Sequence, residues 1–251
     1  MNDIGCLILR NDEVAEKTYL MVLEGCLDAV RPGQFLMVQV NTSLEPFLRR
    51  PLAVLSSREQ CIEILFKVRG KGTKILSEKR AGDSVSILGP LGKGFTEPDP
   101  GEQVLYVAGG AGLPPILSMA EHICRGIFIY GAKTGVEIPV KNRLLSLRAE
   151  QTLITTEDGS VGEKGRATEM LSRIIKNIPS LTRIYACGPN DMLHETWKIA
   201  IQTGTRCEVS LEEHMACGFG VCTGCIVETR HGNQRVCKEG PVFDAGDIFW
   251  R

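Results

Sequence analysis

This sequence carries almost no net charge: 29 Lys and Arg stand against 30 Asp and Glu, a formal −1 over 251 residues. Without a basic excess there is no electrostatic reason to expect nucleic acid or an anionic membrane as partner. No run of about 18 apolar residues occurs, so no membrane-spanning helix is expected. No basic segment followed by an apolar stretch opens the chain, and no secretory signal is expected. No paired carboxylates and no Ser/His/Asp set make a convincing claim to hydrolysis. A disulfide framework is not expected either, given this length and cysteine spacing, which points to the cytosol. What remains is an ordinary globular composition, 43% hydrophobic and 24% charged, long enough for one to two domains with substantial cores.

Ten cysteines are present. Cys6, Cys26, Cys61, Cys124, Cys187 and Cys207 are scattered, mostly in apolar runs. The other four are ordered: Cys217, Cys222, Cys225 and Cys237 are separated by four, two and eleven residues. That is the C-x4-C-x2-C…C order of a plant-type [2Fe–2S] site, in which four thiolates hold two bridged irons. Gly218, Gly220 and Gly224 fall between the ligands, where a loop wrapping a cluster calls for positive φ and close backbone approach. The alternatives are a structural zinc site or a reduced cysteine cluster without metal, but zinc ribbons usually pair two C-x2-C knuckles and only one exists here. An iron–sulfur cluster moves one electron at a time, so the rest of the chain should supply or consume electrons.

The first hundred residues read as short strands broken by turns. Ile4–Arg10, Lys17–Leu23, Phe35–Val40, Leu52–Ser56, Ile62–Val68 and Ser84–Leu88 are β-branched or alternating, with Arg31-Pro32-Gly33 and Ala81-Gly82-Asp83 as turns between them. A small antiparallel barrel is expected. Arg49 and Arg50 precede a strand, where an arginine aimed by Pro51 could grip a phosphate or simply face solvent. Arg69 to Leu76 opens on glycines into a helix-like segment, so backbone N–H groups and Thr73 could cradle a pyrophosphate or merely cap the helix. Glu97-Pro98-Asp99-Pro100-Gly101 looks like a linker.

Beyond it the pattern changes. Val104–Ala108 is a continuous apolar run, the mark of a buried parallel strand, and leads into Gly109-Gly110-Ala111-Gly112-Leu113-Pro114-Pro115 and the helical period of Ile116–Ile123. Strand, glycine turn and helix is the arrangement that places a dinucleotide pyrophosphate on a helix N-terminus, although the usual G-x-G-x-x-G spacing is absent. Strands at Gly126–Tyr130, Gln151–Thr155 and Arg183–Cys187 alternate with helices at Ala167–Ile175 and Asp191–Gln202, which means a parallel sheet covered on both faces. Cys187 ends one strand and reads, by itself, as a small buried hydrophobe.

Together these pieces resemble the ferredoxin–NADP⁺ reductase superfamily and, within it, the iron–sulfur flavoprotein subunits of NAD-dependent dihydroorotate dehydrogenases. The resemblance rests on Arg50-Pro51-Leu52-Ala53, Gly70-Lys71-Gly72-Thr73, Gly89-Pro90-Leu91-Gly92, Gly109-Gly110-Ala111-Gly112, Cys187-Gly188-Pro189 and the tail from Ser210-Leu211-Glu212-Glu213 to Cys237-Lys238-Glu239-Gly240-Pro241-Val242-Phe243. It implies an α+β multidomain chain: an antiparallel β-barrel FAD domain over 1–99, an α/β parallel-sheet NAD domain over 100–206 and a [2Fe–2S] module over 207–251. It places Arg50, Pro51, Leu52 and Ala53 along the flavin and its phosphates, with Leu65, Phe66 and Lys67 lining it and Gly72 and Thr73 at the pyrophosphate. NAD would meet Gly109, Gly110 and Gly112, with Cys187 near the nicotinamide as the candidate catalytic residue. The resemblance also implies a partner, an FMN-containing catalytic dehydrogenase subunit, in a heterotetramer of two of each, acting in pyrimidine biosynthesis.

Two departures stand out. The family usually has serine or threonine where Ala53 stands, and Thr223-Gly224 replaces a bulkier pair between the cluster ligands. Two other readings use the same residues: the small subunit of a transhydrogenase or sulfide dehydrogenase with a different partner, and a zinc-binding, non-enzymatic interaction protein. Lys133 could meet a 2′-phosphate or lie in solvent, so the sequence leaves NAD and NADP open. His214 reads as a surface or hydrogen-bonding residue rather than a ligand, and Glu212 and Glu213 as lying on a solvated or partner-facing surface.

Overall fold

The computed structural model describes residues 3–27, 29–178 and 181–250. Six strands, β1 (Asp3–Ala15), β2 (Thr18–Glu24), β3 (Phe35–Gln39), β4 (Arg50–Arg58), β5 (Cys61–Lys67) and β6 (Ser84–Leu91), close into an antiparallel barrel in the order β1-β2-β5-β4-β3-β6. Alternation along the strands fills its interior with Met21 and Leu23, Leu36 and Val38, Ile62 and Ile64, and Val85 and Ile87. The strand β1 is longer than its apolar run because register shifts after Ile8 and Glu13 bend it. Its first half therefore pairs with β6 and its second with β2. Helix α1 (Lys71–Glu78) follows β5 directly and plugs the barrel with Leu76.

The second domain is a seven-stranded sheet. Its parallel strands are β7 (Gln103–Gly109), β8 (Ile127–Ala132), β9 (Gln151–Thr156), β10 (Glu163–Lys164), β11 (Leu181–Cys187) and β12 (Arg206–Ser210). Helices α2 (Leu113–Ile123) and α3 (Lys141–Leu145) pack on one face, and α4 (Ala167–Ile175) and α5 (Asn190–Thr203) on the other. Pro114 and Pro115 open α2, where a missing N–H costs nothing. None of the described helices is long and apolar enough to cross a membrane.

The tail contributes a hairpin, β13 (Ile226–Thr229) and β14 (Gly232–Arg235), and then β15 (Val242–Asp244), which joins the large sheet antiparallel to β12. Neither β12 nor β15 was expected as a strand; each is too short to show a period, and each is held by its neighbour in the sheet. The expected start of the cluster module, residue 207, falls inside β12, and Val236, Phe243, Ala245 and Ile248 share a core with Leu105, Leu193 and Val209 of the sheet. The tail therefore has an apolar anchorage of its own, apart from any metal.

Both cores cross the barrel boundary. Leu20, Leu55 and Leu65 pack with α2, while Phe35, Met37 and Leu91 pack with the tail. The Pro-rich linker is likewise pinned: Thr96 N–H donates to Glu208 at 2.9 Å and its carbonyl accepts from Tyr185 Oη at 2.6 Å. A three-way ion pair adds to this, with Arg143 holding Glu121 on α2 at 2.6 Å and Glu63 on β5 at 2.7 Å.

Candidate functional site: a cleft between the domains and a cysteine loop

A cavity of about 490 Å³ opens between the barrel, the carboxyl ends of the sheet and the start of the tail. Of the residues expected around flavin, Pro51, Leu52, Ala53, Leu65, Phe66, Lys67 and Thr73 line it. They converge because β4 pairs with β3 over Arg50–Ala53 and turns to β5 only from Val54, leaving the two strands splayed at this end. Arg50 and Gly72 meet beside it: a Cβ on Gly72 would run into the Arg50 guanidinium, so glycine lets the arginine lie over the first turn of α1. Among the described residues no carboxylate pairs with Arg50, which donates only to the Leu48 carbonyl at 2.5 Å and the Arg49 carbonyl at 3.5 Å. An unneutralised guanidinium above a helix N-terminus suits a phosphate-bearing ligand. Thr73 has turned inward, its hydroxyl accepting from the N–H groups of Arg69 and Gly70 at 2.9 and 3.2 Å.

A second cavity, about 1090 Å³, adjoins the first along the ends of β7, β8 and β11. Gly109, Gly110 and Gly112 line it. A side chain on Gly112 would collide with the carbonyl of Cys187, so glycine is what allows the turn after β7 to press against the end of β11. Cys187 faces the smaller cavity and is 1% exposed. Burial, reinforced by the Glu212 charge, pushes its thiol well above the ordinary range against a counteracting hydrogen bond from Ser210. A thiol held neutral in this way is a poor nucleophile and offers a close-packed apolar wall to the cavity.

Besides Lys67, which was expected at the flavin, several residues stand on these walls that were not expected there. Arg69 and Glu212 line both cavities, as do Lys67 and Glu137, which form an ion pair at 3.1 Å between the barrel and the second domain. Glu212 had read as a surface residue. Its side chain opens on the cleft and so counts as accessible, yet protein surrounds it otherwise; this burial raises its carboxyl pKa, opposed by Arg69. His214 and Met215 line the smaller cavity too. Their place just before the first cluster cysteine was the available signal. Lys133 and Glu157 both line the larger cavity.

The four ordered cysteines lie in the tail. Among the described residues no three His, Cys, Asp or Glu side chains gather around a single-ion point; the thiols instead come in pairs. Cys222 Sγ lies 3.3 Å from Cys217 Sγ, and the Cys237 N–H reaches Cys225 Sγ at 3.5 Å. Two pairs of sulfurs are what two bridged irons need. Cys217 is held against the pull of burial by N–H groups of Cys222, Phe219 and Val221, with the Cys222 thiol, and its pKa falls to about 6. Burial and the neighbouring Cys225 push Cys237 up to about 12. Gly218 and Gly220 have φ of 78° and 86° and sit against Met37 and Lys238. Gly224 departs from expectation: it is outside the positive-φ set, and a Cβ there would stand 3.7 Å from Cys222 Sγ. Arg235 braces the loop by donating to the Gly220 carbonyl at 2.6 Å while gripping Glu239 with both ends of its guanidinium. That grip draws the Glu239 carboxyl down to about 2.

Residues 212–249 match the model of the iron–sulfur cluster binding domain of dihydroorotate dehydrogenase B. Over nearly its whole length the chain is similar to curated electron transfer subunits of dihydroorotate dehydrogenase B (NAD(+)). That of Desulforamulus reducens is 37% identical, with 94% of each chain covered. That of Caldanaerobacter subterraneus subsp. tengcongensis is 36% identical, with 97% of each covered. The chain belongs to this family. Its fold is also that of a NADH-dependent reduced ferredoxin–NADP oxidoreductase studied for flavin-based electron bifurcation, with a TM-score of 0.87, 26% identity and coverage of 98% of this chain and 90% of that one. A ferredoxin–NADP⁺ reductase from Neisseria gonorrhoeae shares the fold at a TM-score of 0.69 and 20% identity, over 81% of this chain and 92% of that one. The match of residues 212–249 to an iron–sulfur cluster binding domain, within a chain of this family, sets aside the reading as a zinc-binding interaction protein.

Proposed function

We propose that this subunit carries electrons from a dihydroorotate-oxidising catalytic subunit to NAD⁺, using a [2Fe–2S] cluster at Cys217, Cys222, Cys225 and Cys237 and FAD in the smaller cavity. The observation that carries this reading is convergence. One cavity is walled at once by Pro51 to Ala53 of the barrel, by Cys187 at the end of β11, and by His214 and Met215, two residues short of the cluster loop. Bound flavin would link the two-electron chemistry of nicotinamide with the one-electron chemistry of iron.

The chain's own residues do the placing. Arg50 and the N-terminal turn of α1 hold the flavin pyrophosphate, and Leu65, Phe66 and Lys67 bound the cofactor from β5. Gly109, Gly110 and Gly112 bring backbone N–H groups to the dinucleotide pyrophosphate at the start of α2. Cys187 supplies a neutral, close-packed wall where the nicotinamide approaches. With Ala53 no hydroxyl is available at that point of β4, so flavin contacts there fall to the backbone. The partner is an FMN-containing subunit, assembled as two copies of each chain.

Two measurements test this. In the complex with the native catalytic subunit, dihydroorotate should reduce NAD⁺; a complex that forms but shows no such turnover overturns the reading. Arg50→Met should weaken FAD binding by about 10- to 100-fold, the worth of one or two charge-assisted hydrogen bonds, measured by equilibrium dialysis of the flavin. Unchanged retention would remove Arg50 from the phosphate site.

A further inference from the structure

Two groups of exposed apolar side chains stand out, one in the cluster loop beside the half-buried Cys217 and Cys222 and one in the loop that follows β3. In the cluster loop Val221 is 77% and Phe219 40% exposed; in the loop joining β3 to β4, Leu44 is 82% and Phe47 74% exposed. None of the four lines either cavity. Nor are they on an untethered segment. Arg49 fastens the root of the β3–β4 loop through Asp3 at 2.7 Å and the Ser86 carbonyl at 3.2 Å, and Glu45 beside Leu44 is ion-paired with Lys71.

The tail follows β3 toward that loop. Pro241 and Phe35 both pack against Gly92, and further along β3 Met37 packs against Gly218 of the cluster loop. The strand then ends at Gln39 and the chain enters the 40–49 loop. Both apolar groups therefore lie toward the same end of β3. The cysteines differ in the same sense: Cys225 and Cys237 are 1% and 2% exposed, whereas Cys217 and Cys222 are half-buried. Electrons exchanged with another protein have their shortest way through the Cys217–Cys222 side, where Phe219 and Val221 stand out.

We propose that the 40–49 loop and the cluster loop form one continuous docking surface, and that its occupant is an apolar face of the catalytic subunit. This rests on the electron-transfer reading above, because that reading requires a protein partner to sit on the accessible cysteine pair. Leu44 and Phe47 then serve as apolar anchors that are desolvated on assembly, the kind of contact that dominates interface energies, while Glu45 and Lys71 remain at the polar rim.

The test uses the cofactor-loaded subunit and its native catalytic partner, with the double variant Leu44→Asp/Phe47→Asp. The dissociation constant of the pair, followed by interferometry or sedimentation, should rise about a hundredfold. Iron and flavin content and NADH-driven reduction of the bound flavin should match the parent. Unchanged affinity, in a parent complex that does reduce NAD⁺ with dihydroorotate, overturns this surface and leaves the electron-transfer reading standing. Loss of flavin from the variant assigns the loop to the cofactor and overturns it as well. A shift confined to self-association of this chain gives the loop to a second copy and likewise overturns the surface. A parent chain that does not bind the catalytic subunit sinks both readings together.

Discussion

Replacing Cys222 by serine is expected to abolish dihydroorotate-dependent reduction of NAD⁺ in the complex while leaving the bound flavin reducible by NADH. Serine at this position loses the sulfur that lies 3.3 Å from Cys217 Sγ, and with it one member of the more accessible thiol pair. The variant should lose its iron and the cluster's visible absorption, and turnover with the catalytic subunit should fall by roughly a hundredfold or more, since single electrons then have no carrier into the cleft. On the proposed reading hydride passes between nicotinamide and flavin in the cleft and not through the cluster, so stopped-flow reduction of the flavin by NADH should stay within about threefold of the parent. The module should also survive the loss. Val236, Phe243, Ala245 and Ile248 are buried with the core of the second domain, so only the loop from Cys217 to Cys225 depends on the metal for its shape. If NADH could no longer reduce the flavin of a folded, FAD-loaded variant, the electron order proposed here would be wrong.

The second large effect concerns stability. Arg183 on β11 is 5% exposed and lies between two carboxylates, Glu102 at 3.3 Å and Glu208 at 3.1 Å. The contact with Glu102 is electrostatic, since no aligned hydrogen bond joins the Arg183 Nε to it, and Arg206 provides Glu102 with a second cation. Glu208 also accepts the N–H of Thr96, which ties the inter-domain linker to the sheet. Arg183→Met keeps much of the volume but strips the half-buried Glu208 of its cation and leaves Glu102 with Arg206 alone, and removing one partner of a buried ion pair costs about 3–5 kcal/mol. For a chain of this size that corresponds to a fall in melting temperature on the order of 10 °C. The triple variant Arg183→Met/Glu102→Gln/Glu208→Gln should recover part of it, because the uncompensated charge is then gone. A single variant that melts within about 2 °C of the parent would show the network to be solvated and of little consequence.

Sequence alone determined the kinds of site this chain holds. The spacing of Cys217, Cys222, Cys225 and Cys237 is a covalent constraint: ligands so close in the chain are bound to lie within reach of one another, whatever the rest of the fold does. The strand–glycine–helix order around Gly109 to Gly112 is similarly local, because a helix N-terminus and a tight turn are made by neighbouring residues. The barrel and the parallel sheet were legible for the same reason, through periods of two and through continuous apolar runs.

Tertiary structure alone decided how the sites combine. Arg50 meets Gly72 only because β4 splays from β5 and α1 folds beneath it, a consequence of pairing that no local spacing encodes. Glu212 reads as a surface carboxylate along the chain, but the closing of the two domains turns it into the wall between the cavities. Short strands such as β12 and β15 have no period to betray them and exist because the sheet completes their hydrogen bonds. The seating of the cluster loop on β3, with Gly218 against Met37, likewise comes from the tail packing across the barrel, which depends on contacts between residues nearly two hundred positions apart. Local chemistry is carried by sequence neighbours; the path between the sites, and the face turned to a partner, is set by contacts that only folding brings together.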